Sequence, residues 1–304
     1  MEEAISTFKS TLETYGIDIV QPLALSWYNN CLPEHALASQ IPLPPPPPPT
    51  AEDCGSATKD DPLTLIIGNS KAIWPKFLAY CASNSSILHD PHPLNAYIER
   101  SISTALAQSF PAGAPPPSSV SSSSPSCDNY KIYWSHTTAN LRGREGFVAM
   151  QRMAECCGLA YLDHTCHLSF HPTFGPWFSL RCTVVFSGNG IDGVNTRSLI
   201  QPTPLTCPLD NATMLNVQAA AAAAFSSNSN DDNNDIDGAD GKLPEMKDVR
   251  AGWEKWLAVR DAAAPGHPYR YDKQQILYHY TGDRELLRKL VSDFTKREKT
   301  ITAE

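Results

Sequence analysis

The chain has 304 residues, of which 24 are Lys or Arg and 32 are Asp or Glu, so its formal net charge is −8. This acidic balance argues against a broad nucleic-acid-binding surface, although a few arginines can still converge on a small anion. No apolar run approaches the roughly 18 residues that a membrane span needs, and the first five residues lack the basic and apolar regions of a secretory signal. The nine cysteines, an odd number, do not indicate a disulfide framework. We therefore expect a reduced, cytoplasmic protein that binds neither nucleic acid nor membrane.

Helical and extended patterns alternate loosely along the chain. Apolar residues recur at helical spacing over 1–16, and 63–67 is apolar throughout, as is typical of a buried strand. Ser70 is a candidate N-cap for the next helix. Further helices are predicted over 70–81, 90–106, 144–160, 211–225 and in the region after 253, with strands over 17–20 and 130–134.

The most distinctive stretch carries an arginine inside a strand. Polar and apolar residues alternate over 167–171, Gly175-Pro176 favours a turn, and 177–186 predicts a second extended run. We therefore expect a strand, a short stiff turn and a second strand paired with the first. Arg181 lies in the second strand, where an unpaired buried guanidinium is costly. An anion is expected to contact it.

Three low-complexity segments have too few apolar residues to pack and are predicted to be insertions, at 42–61, 111–127 and 219–243. The first contains the polyproline run 44–49, which favours a stiff extended rod. We interpret this run as a solvated loop rather than a docking site for an SH3-like partner. The remaining pattern predicts a single domain over 1–304 of mixed α/β or α+β class.

Histidine and cysteine are dense over 163–171, and Cys156-Cys157 precede them. A zinc site would need a recognisable ligand spacing, but His164, Cys166 and His167 cannot share one strand face, and no paired C-x₂-C or H-x₃-H pattern completes a tetrahedral set. We predict no metal site, and interpret these histidines as strand residues bonded to nearby backbone. Neither a phosphate-binding loop nor a hydrolase nucleophile elbow is present.

Three arginines, Arg181, Arg260 and Arg284, lie beside apolar or aromatic neighbours. Guanidinium is permanently charged and binds carboxylates with two parallel hydrogen bonds. The plainer alternative is three separate ion pairs with acids such as Asp261 and Glu285, and the residue pattern alone favours that alternative.

Several sequence blocks then occur in a characteristic order. The most distinctive is His171-Pro-x-Phe-Gly-x-Trp-Phe-x-x-Arg181. The supporting blocks are Trp27-Tyr28-Asn29 with Leu32-Pro33, Gln151 with Gly158-x-Ala160-Tyr161, Cys207, Trp256 with Arg260-Asp261-Ala262, Arg270-Tyr271, and Arg284. In these blocks the chain resembles the cblC-type cobalamin-processing proteins (the MMACHC family). Two departures are Glu155, where the family has histidine, and a shorter connection between Tyr161 and Cys166.

The resemblance implies a divergent flavin-nitroreductase-like α+β sandwich that binds cobalamin in its base-off form and removes the upper ligand. Alkylcobalamins would be dealkylated by glutathione, whose thiolate is the nucleophile, so no catalytic residue of the chain is expected. Cyanocobalamin would be decyanated reductively, with electrons from reduced FMN or FAD or from a partner flavoprotein reductase. A cobalamin-trafficking protein is a further expected partner.

The resemblance also implies binding residues. Arg181, Arg260 and Arg284 match the arginines that hold the glutathione carboxylates, so we prefer glutathione binding to three separate ion pairs. The implied cobalamin contacts are Val148, Ala149, Met150, Gln151, Leu162, Asp163, His164, Ser169 and Leu180. Two alternatives stay open: a cobalamin-binding chaperone that catalyses little, and a flavin-only reductase of the nitroreductase type.

Overall fold

In the computed structural model of the protein, the described residues are 2–42, 61–110, 130–138, 146–186, 196–226, 250 and 252–301. The helices are α1 (Glu2–Thr14), α2 (Leu25–Cys31), α3 (Ile73–Ser83), α4 (Pro93–Ser109), α5 (Ser135–Thr138), α6 (Met150–Cys156), α7 (Asn211–Ser226), α8 (Trp253–Ala263), α9 (Lys273–Thr281) and α10 (Arg284–Ile301). The strands are β1 (Ile19–Ala24), β2 (Leu63–Asn69), β3 (Tyr130–Trp134), β4 (Tyr161–Asp163), β5 (Leu168–Phe170) and β6 (Ser179–Phe186). Short 3₁₀ turns occupy Glu34–Ser39, Ser85–His89 and Thr196–Ser198.

The chain divides into two compact units. The first contains Met1–Phe77, Pro93–Ala160 and Ser179–Leu205, and the second contains Leu78–His92, Tyr161–Phe178 and Thr206–Glu304. Helices and antiparallel strands both contribute, so the predicted α+β class is confirmed. No helix in the described ranges combines the length and apolar character needed to cross a membrane.

A four-stranded antiparallel sheet organises the first unit, in the order β1-β2-β6-β3. All seven residues of β2 are buried, which agrees with the mostly apolar sequence of this strand. Helix α6 packs on β2 and β6, and α1 packs on α4. The rings of Phe8 and Phe186 both contact Phe110, with centroids 5.6 and 4.9 Å away. The central strands are thus held between packed helices and aromatic side chains.

The second unit is mainly helical, with one two-stranded sheet formed by β4 and β5. Helices α7 and α8 pack along each other, and the alanines of α7 allow a close approach. Cys166 and Phe170 are buried against this helix pair. A second cluster joins Trp177 and Tyr271 to the buried side of α9. Asp272 caps α9 by accepting a hydrogen bond from the Gln275 N–H at 2.7 Å.

Two predictions about elements were wrong. The strands on either side of Gly175 do not pair with each other, because β5 pairs with β4 while β6 lies in the four-stranded sheet. The turn itself is present, since backbone hydrogen bonds link His171 and Gly175 in both directions and Gly175 has φ +54°. The helix predicted over 144–160 is also shorter: 146–149 is not helical, and α6 ends at Cys156.

The predicted insertions lie largely outside the described residues, as does the whole polyproline run 44–49. One boundary differs from the prediction. Helix α7 continues through Ser226, so the first residues assigned to the third insertion are helical. The prediction of a single domain over 1–304 stays a prediction.

Candidate functional site

Arg181 occupies a bulge in β6. In the pairing with β2, Cys182 is opposite Ile67 and Leu180 is opposite Gly68, so Arg181 is the extra residue with none opposite it. Such a bulge interrupts the alternation of side chains and redirects the inserted residue. Gly68 makes this close approach possible, because a Cβ at that position would lie 2.7 Å from the Ser179 carbonyl oxygen.

The inserted arginine is held by a buried amide. Arg181 Nε donates a hydrogen bond to Asn69 Oδ1 at 2.6 Å, and the Asn69 side chain is fully buried. Asn69 Nδ2 in turn donates to the Ser70 carbonyl at 2.7 Å, which fixes the orientation of the amide. A neutral acceptor thus orients the guanidinium without cancelling its charge. Asn69 was not among the predicted site residues, because the sequence pattern around it indicates only the end of a strand.

In the second unit, the guanidinium groups of two arginines lie close to one buried indole. The guanidinium carbons of Arg260 and Arg270 lie 5.8 and 5.3 Å from the Trp177 ring centroid, and Arg260 is also 5.8 Å from the Tyr280 ring. Asp261 accepts two parallel hydrogen bonds from Arg270, Nε at 2.6 Å and Nη2 at 2.8 Å. This contact raises the pKa of Arg270 and keeps the carboxylate beside Arg260 engaged with another arginine.

Arg284 is the first residue of α10. Its Nη2 donates to the carbonyl oxygens of Leu88 and His89, at 3.4 and 3.2 Å. The neighbouring Glu285 forms an ion pair with Arg288, one turn further along the helix. The two acids of the ion-pair alternative therefore have other partners. Asp261 pairs with Arg270 and not with Arg260, and Glu285 pairs with Arg288 and not with Arg284.

Three donors in the second unit are buried with unmet hydrogen-bonding capacity. Arg260 Nη1, Arg284 Nε and Trp177 Nε1 have no hydrogen-bond partner among the described residues. Burying such a donor costs free energy unless an acceptor meets it. The Arg260 guanidinium carbon also lies 5.8 Å from the Trp177 ring centroid. Guanidinium groups are preferred partners of carboxylates.

The predicted cobalamin contacts at the start of α6 differ in accessibility. Val148 and Met150 are buried, Ala149 is half-buried and Gln151 is exposed. The Ala149 N–H donates to the Tyr28 hydroxyl at 2.9 Å, and that hydroxyl donates to the Ser39 carbonyl. Burial raises the pKa of Tyr28, so the hydroxyl stays protonated. This link anchors the segment before α6.

A small cavity opens beside Val148. It is lined by Gln40, Ile41, Pro42, Lys131, Tyr133, Gly146, Phe147 and Val148. Its volume is about 80 Å³, well below the roughly 300–1,000 Å³ of a drug-sized site. Only the edge of a macrocycle could enter it. Of the predicted contacts in this unit, the structure brings Val148 to this cavity, while Leu180 lies half-buried in β6.

Four predicted contacts fall on the β4–β5 hairpin. Leu162 and Ser169 are directly opposite each other in this sheet and both are buried, whereas His164 is exposed in the turn. His167 closes the turn with φ +53°. The short connection noted in the sequence is therefore a tight hairpin, which brings two of the predicted residues together as a cross-strand pair.

Asp163 stabilises the turn of this hairpin. Its Oδ1 accepts hydrogen bonds from the backbone N–H groups of Thr165 at 3.0 Å and Cys166 at 2.9 Å. Burial alone would raise the pKa of Asp163, but these bonds, together with the Cys166 and Gln218 side chains, lower it below its ordinary value. The Asp163 carboxylate is therefore charged, and its Oδ1 is occupied by two backbone hydrogen bonds.

The histidines and cysteines of this region do not assemble into a metal centre. No three His, Cys, Asp or Glu side chains in the described ranges are placed to hold a metal ion. Cys166 is buried near Asp163, and burial raises the pKa of its thiol to about 12. His171 instead accepts backbone hydrogen bonds from Thr173 and Phe174 at its Nδ1, as the interpretation of backbone-bonded histidines implied.

No protein-family model matches the chain, and no curated protein matches it. Among solved structures, the chain is similar to the crystal structure of a C. elegans B12-trafficking protein CblC, a homologue of human MMACHC. The TM-score is 0.56 at 15% sequence identity, and the match covers 95% of this chain and 97% of that chain. At that identity the comparison shows a shared fold. The chain thus adopts the fold of CblC along nearly its whole length.

Proposed function

We propose that the protein binds cobalamin in the cytoplasm and removes its upper ligand, with glutathione as the thiol that dealkylates alkylcobalamins. The observation that carries the proposal is the pair of buried guanidinium donors without a partner among the described residues, Arg260 Nη1 and Arg284 Nε. Both positions match arginines that the sequence resemblance assigned to glutathione. Glutathione offers two carboxylates, which are the preferred partners of guanidinium.

The ion-pair alternative is weakened by the contacts of the two acids it depends on. Asp261 binds Arg270 and Glu285 binds Arg288. Adjacent residues on a helix do not face each other, which explains why sequence neighbours fail as partners here. The charge of Arg260 is thus available for a ligand.

Arg181 is proposed as the third glutathione ligand. Asn69 Oδ1 accepts a hydrogen bond from its Nε and so fixes the orientation of the guanidinium. The arginines would bind the carboxylates of glutathione and so position its thiol beside the substrate. They would not themselves remove the thiol proton. The chain would supply orientation and shielding from water.

The reaction would be a nucleophilic displacement. The glutathione thiolate attacks the alkyl carbon, a carbon–sulfur bond forms, and the cobalt–carbon bond breaks with both electrons remaining on cobalt. The products are a glutathione thioether and reduced cobalamin. For cyanocobalamin we propose reductive loss of cyanide, with electrons from reduced FMN or FAD or from a partner flavoprotein reductase.

The proposed cobalamin contacts are the nine residues named from the resemblance: Val148, Ala149, Met150, Gln151, Leu162, Asp163, His164, Ser169 and Leu180. Several are small or apolar, which suits a large and mostly hydrophobic macrocycle. The buried state of Val148, Leu162 and Ser169 predicts that they act as walls, while the exposed Gln151 and His164 are suited to polar contacts.

The decisive experiment is anaerobic incubation with methylcobalamin and glutathione, followed by assay of S-methylglutathione. Replacing Arg260 or Arg284 with Gln should raise the half-saturating glutathione concentration about 10- to 100-fold, since a hydrogen bond to a charged group contributes about 1.5–3 kcal/mol. Arg181→Gln should act in the same direction. Arg288→Gln is the matched control, because that arginine already pairs with Glu285. Equal glutathione dependence in all variants would reject the assignment.

Two alternative functions can be distinguished with the same protein and ligands. The CblC similarity is to a trafficking protein, so a non-catalytic cobalamin carrier that passes its cargo to a partner is the second candidate. It predicts a base-off spectrum with cob(II)alamin but no thioether. A flavin-only reductase would bind FMN or FAD and leave the cobalamin spectrum unchanged.

A further inference from the structure

Arg270 lies close to the buried indole of Trp177, and all three nitrogens of its guanidinium group have partners. Its Nε and Nη2 donate to the two carboxylate oxygens of Asp261 at 2.6 and 2.8 Å. Its Nη1 donates to the Tyr271 carbonyl oxygen at 3.4 Å. Arg260 differs, because its Nη1 is buried and has no hydrogen-bond partner among the described residues. Arg260 is thus suited to bind an anion, whereas Arg270 is occupied within the protein.

The Asp261 carboxylate belongs to the same cluster of side chains as Arg260. The two residues are consecutive on α8, and the guanidinium carbons of Arg260 and Arg270 lie 5.8 and 5.3 Å from the Trp177 ring centroid. Burial raises the pKa of Tyr280, and the charges of Arg260 and Asp261 act on that hydroxyl group in opposite directions. An anion bound by Arg260 would therefore be repelled by Asp261 unless a cation compensates the carboxylate charge.

The ion pair between Asp261 and Arg270 supplies that compensation. Two parallel hydrogen bonds hold the guanidinium against the carboxylate, and both side chains are one-third exposed. Partial exposure keeps the contribution of the pair to stability small. Removal of the arginine would nevertheless leave a carboxylate without its counter-charge, and like charges repel each other across a binding site.

We propose that Arg270 is a positioning residue of the anion site: it neutralises Asp261 and so prevents that carboxylate from repelling the glutathione carboxylate that Arg260 binds. This inference rests on the proposed function, because it takes glutathione as the anion bound by Arg260. It assigns Arg270 and Asp261 an effect on glutathione affinity that requires neither residue to contact the ligand.

The test measures binding of glutathione to the full chain by isothermal titration calorimetry, with no cobalamin present. Arg270→Met should raise the dissociation constant about 3- to 10-fold, the range expected from one nearby like charge in a partly solvated site. Asp261→Asn should bind at least as tightly as the wild type, because it removes the repelling charge and leaves Arg270 positive. The double variant should return to the wild-type dissociation constant.

Salt separates an electrostatic effect from a structural one. The ratio of the Arg270→Met and wild-type dissociation constants should decrease as NaCl rises from about 0.1 to 1 M, since the Debye length falls from about 10 to 3 Å. Lys296→Met is the matched control, because it also removes a cation from an ion pair, with Asp293 on α10. It should leave the dissociation constant unchanged.

Circular dichroism of each variant shows whether it is folded. If Arg270→Met does not fold, Asp261→Asn alone decides, because a structural role of the ion pair predicts weaker binding of glutathione and the proposed role does not. Three outcomes would overturn the proposal: wild-type affinity in Arg270→Met, a double variant that binds as weakly as Arg270→Met, and weakened binding in Asp261→Asn.

Failure of the proposed function gives a different result. A wild type that binds no glutathione would overturn both the proposed function and the role of Arg270. Glutathione binding that follows the expected order of variants, without formation of a thioether from methylcobalamin, would reject the enzymatic activity alone and support the role of Arg270.

Discussion

The hydrogen bond between Asn69 and Arg181 should be a measurable contributor to the stability of the first unit. The change we consider is Asn69→Ala, alone and combined with Arg181→Met. Asn69 is fully buried, its Oδ1 accepts from Arg181 Nε at 2.6 Å, and its Nδ2 donates to the Ser70 carbonyl at 2.7 Å. Replacing it removes both bonds at once.

The two bonds differ in expected magnitude. A hydrogen bond to a charged group contributes about 1.5–3 kcal/mol, and one between neutral groups about 0.5–1.5 kcal/mol. Asn69→Ala should therefore lower the free energy of unfolding by about 2–4 kcal/mol. Only the first bond is shared with Arg181, so the interaction energy between the two positions should be about 1.5–3 kcal/mol.

Urea unfolding of the wild type, both single variants and the double variant gives this interaction energy as a double-mutant cycle. Asn69→Ala is also expected to raise the glutathione requirement for dealkylation, because Arg181 loses the group that orients it. An interaction energy below about 0.5 kcal/mol, the level at which independent sites simply add, would show that Asn69 and Arg181 do not stabilise each other.

Three further outcomes are expected. Gly68→Ala should lower the free energy of unfolding by about 2 kcal/mol through overpacking, since the new Cβ would lie 2.7 Å from the Ser179 carbonyl oxygen; an unchanged urea midpoint would contradict that close approach. Asp261→Asn keeps the side-chain size but loses the charge that pairs with Arg270. Because both groups are one-third exposed, the free energy of unfolding should fall by only about 1 kcal/mol. A loss of several kcal/mol would argue against a solvated pair. The folded pKa of Asp163 lies below its unfolded value, so its contribution is present above the unfolded pKa and is lost as pH falls towards the folded one. Urea midpoints measured between about pH 7 and pH 3 should therefore decline less for Asp163→Asn than for wild type; parallel curves would contradict this.

Local patterns predicted elements whose burial follows from their own residues. The apolar run over 63–67 became β2, which is buried at every position, and the alternating residues at 168–170 became β5. Helical spacing of apolar residues likewise located α1 and α4. In β5, α1 and α4 the spacing of the apolar positions indicates the conformation, because only one period places them on one face.

Strand partners and side-chain partners were not predictable in the same way. The pattern of β5 does not specify its neighbour, so a hairpin with β6 was expected where β4 is the true partner. Asn69 is 112 residues from Arg181, and the bulge that brings them together depends on how β2 and β6 are aligned. Asp261 was expected near Arg260 by adjacency, but the helix turns the two side chains apart and Arg270 takes the carboxylate.

The buried indole close to two arginines gives the protein an intrinsic fluorescent reporter. Trp177 is fully buried, and the guanidinium of Arg260 stands 5.8 Å from its ring. The electrostatic attraction between cation and ring depends on the net charge nearby. A bound carboxylate that neutralises Arg260 would therefore shift the fluorescence emission of this tryptophan. The Trp177→Phe variant lacks this indole and is the control for emission from the other tryptophans. Anion binding can then be followed in the absence of any coloured substrate.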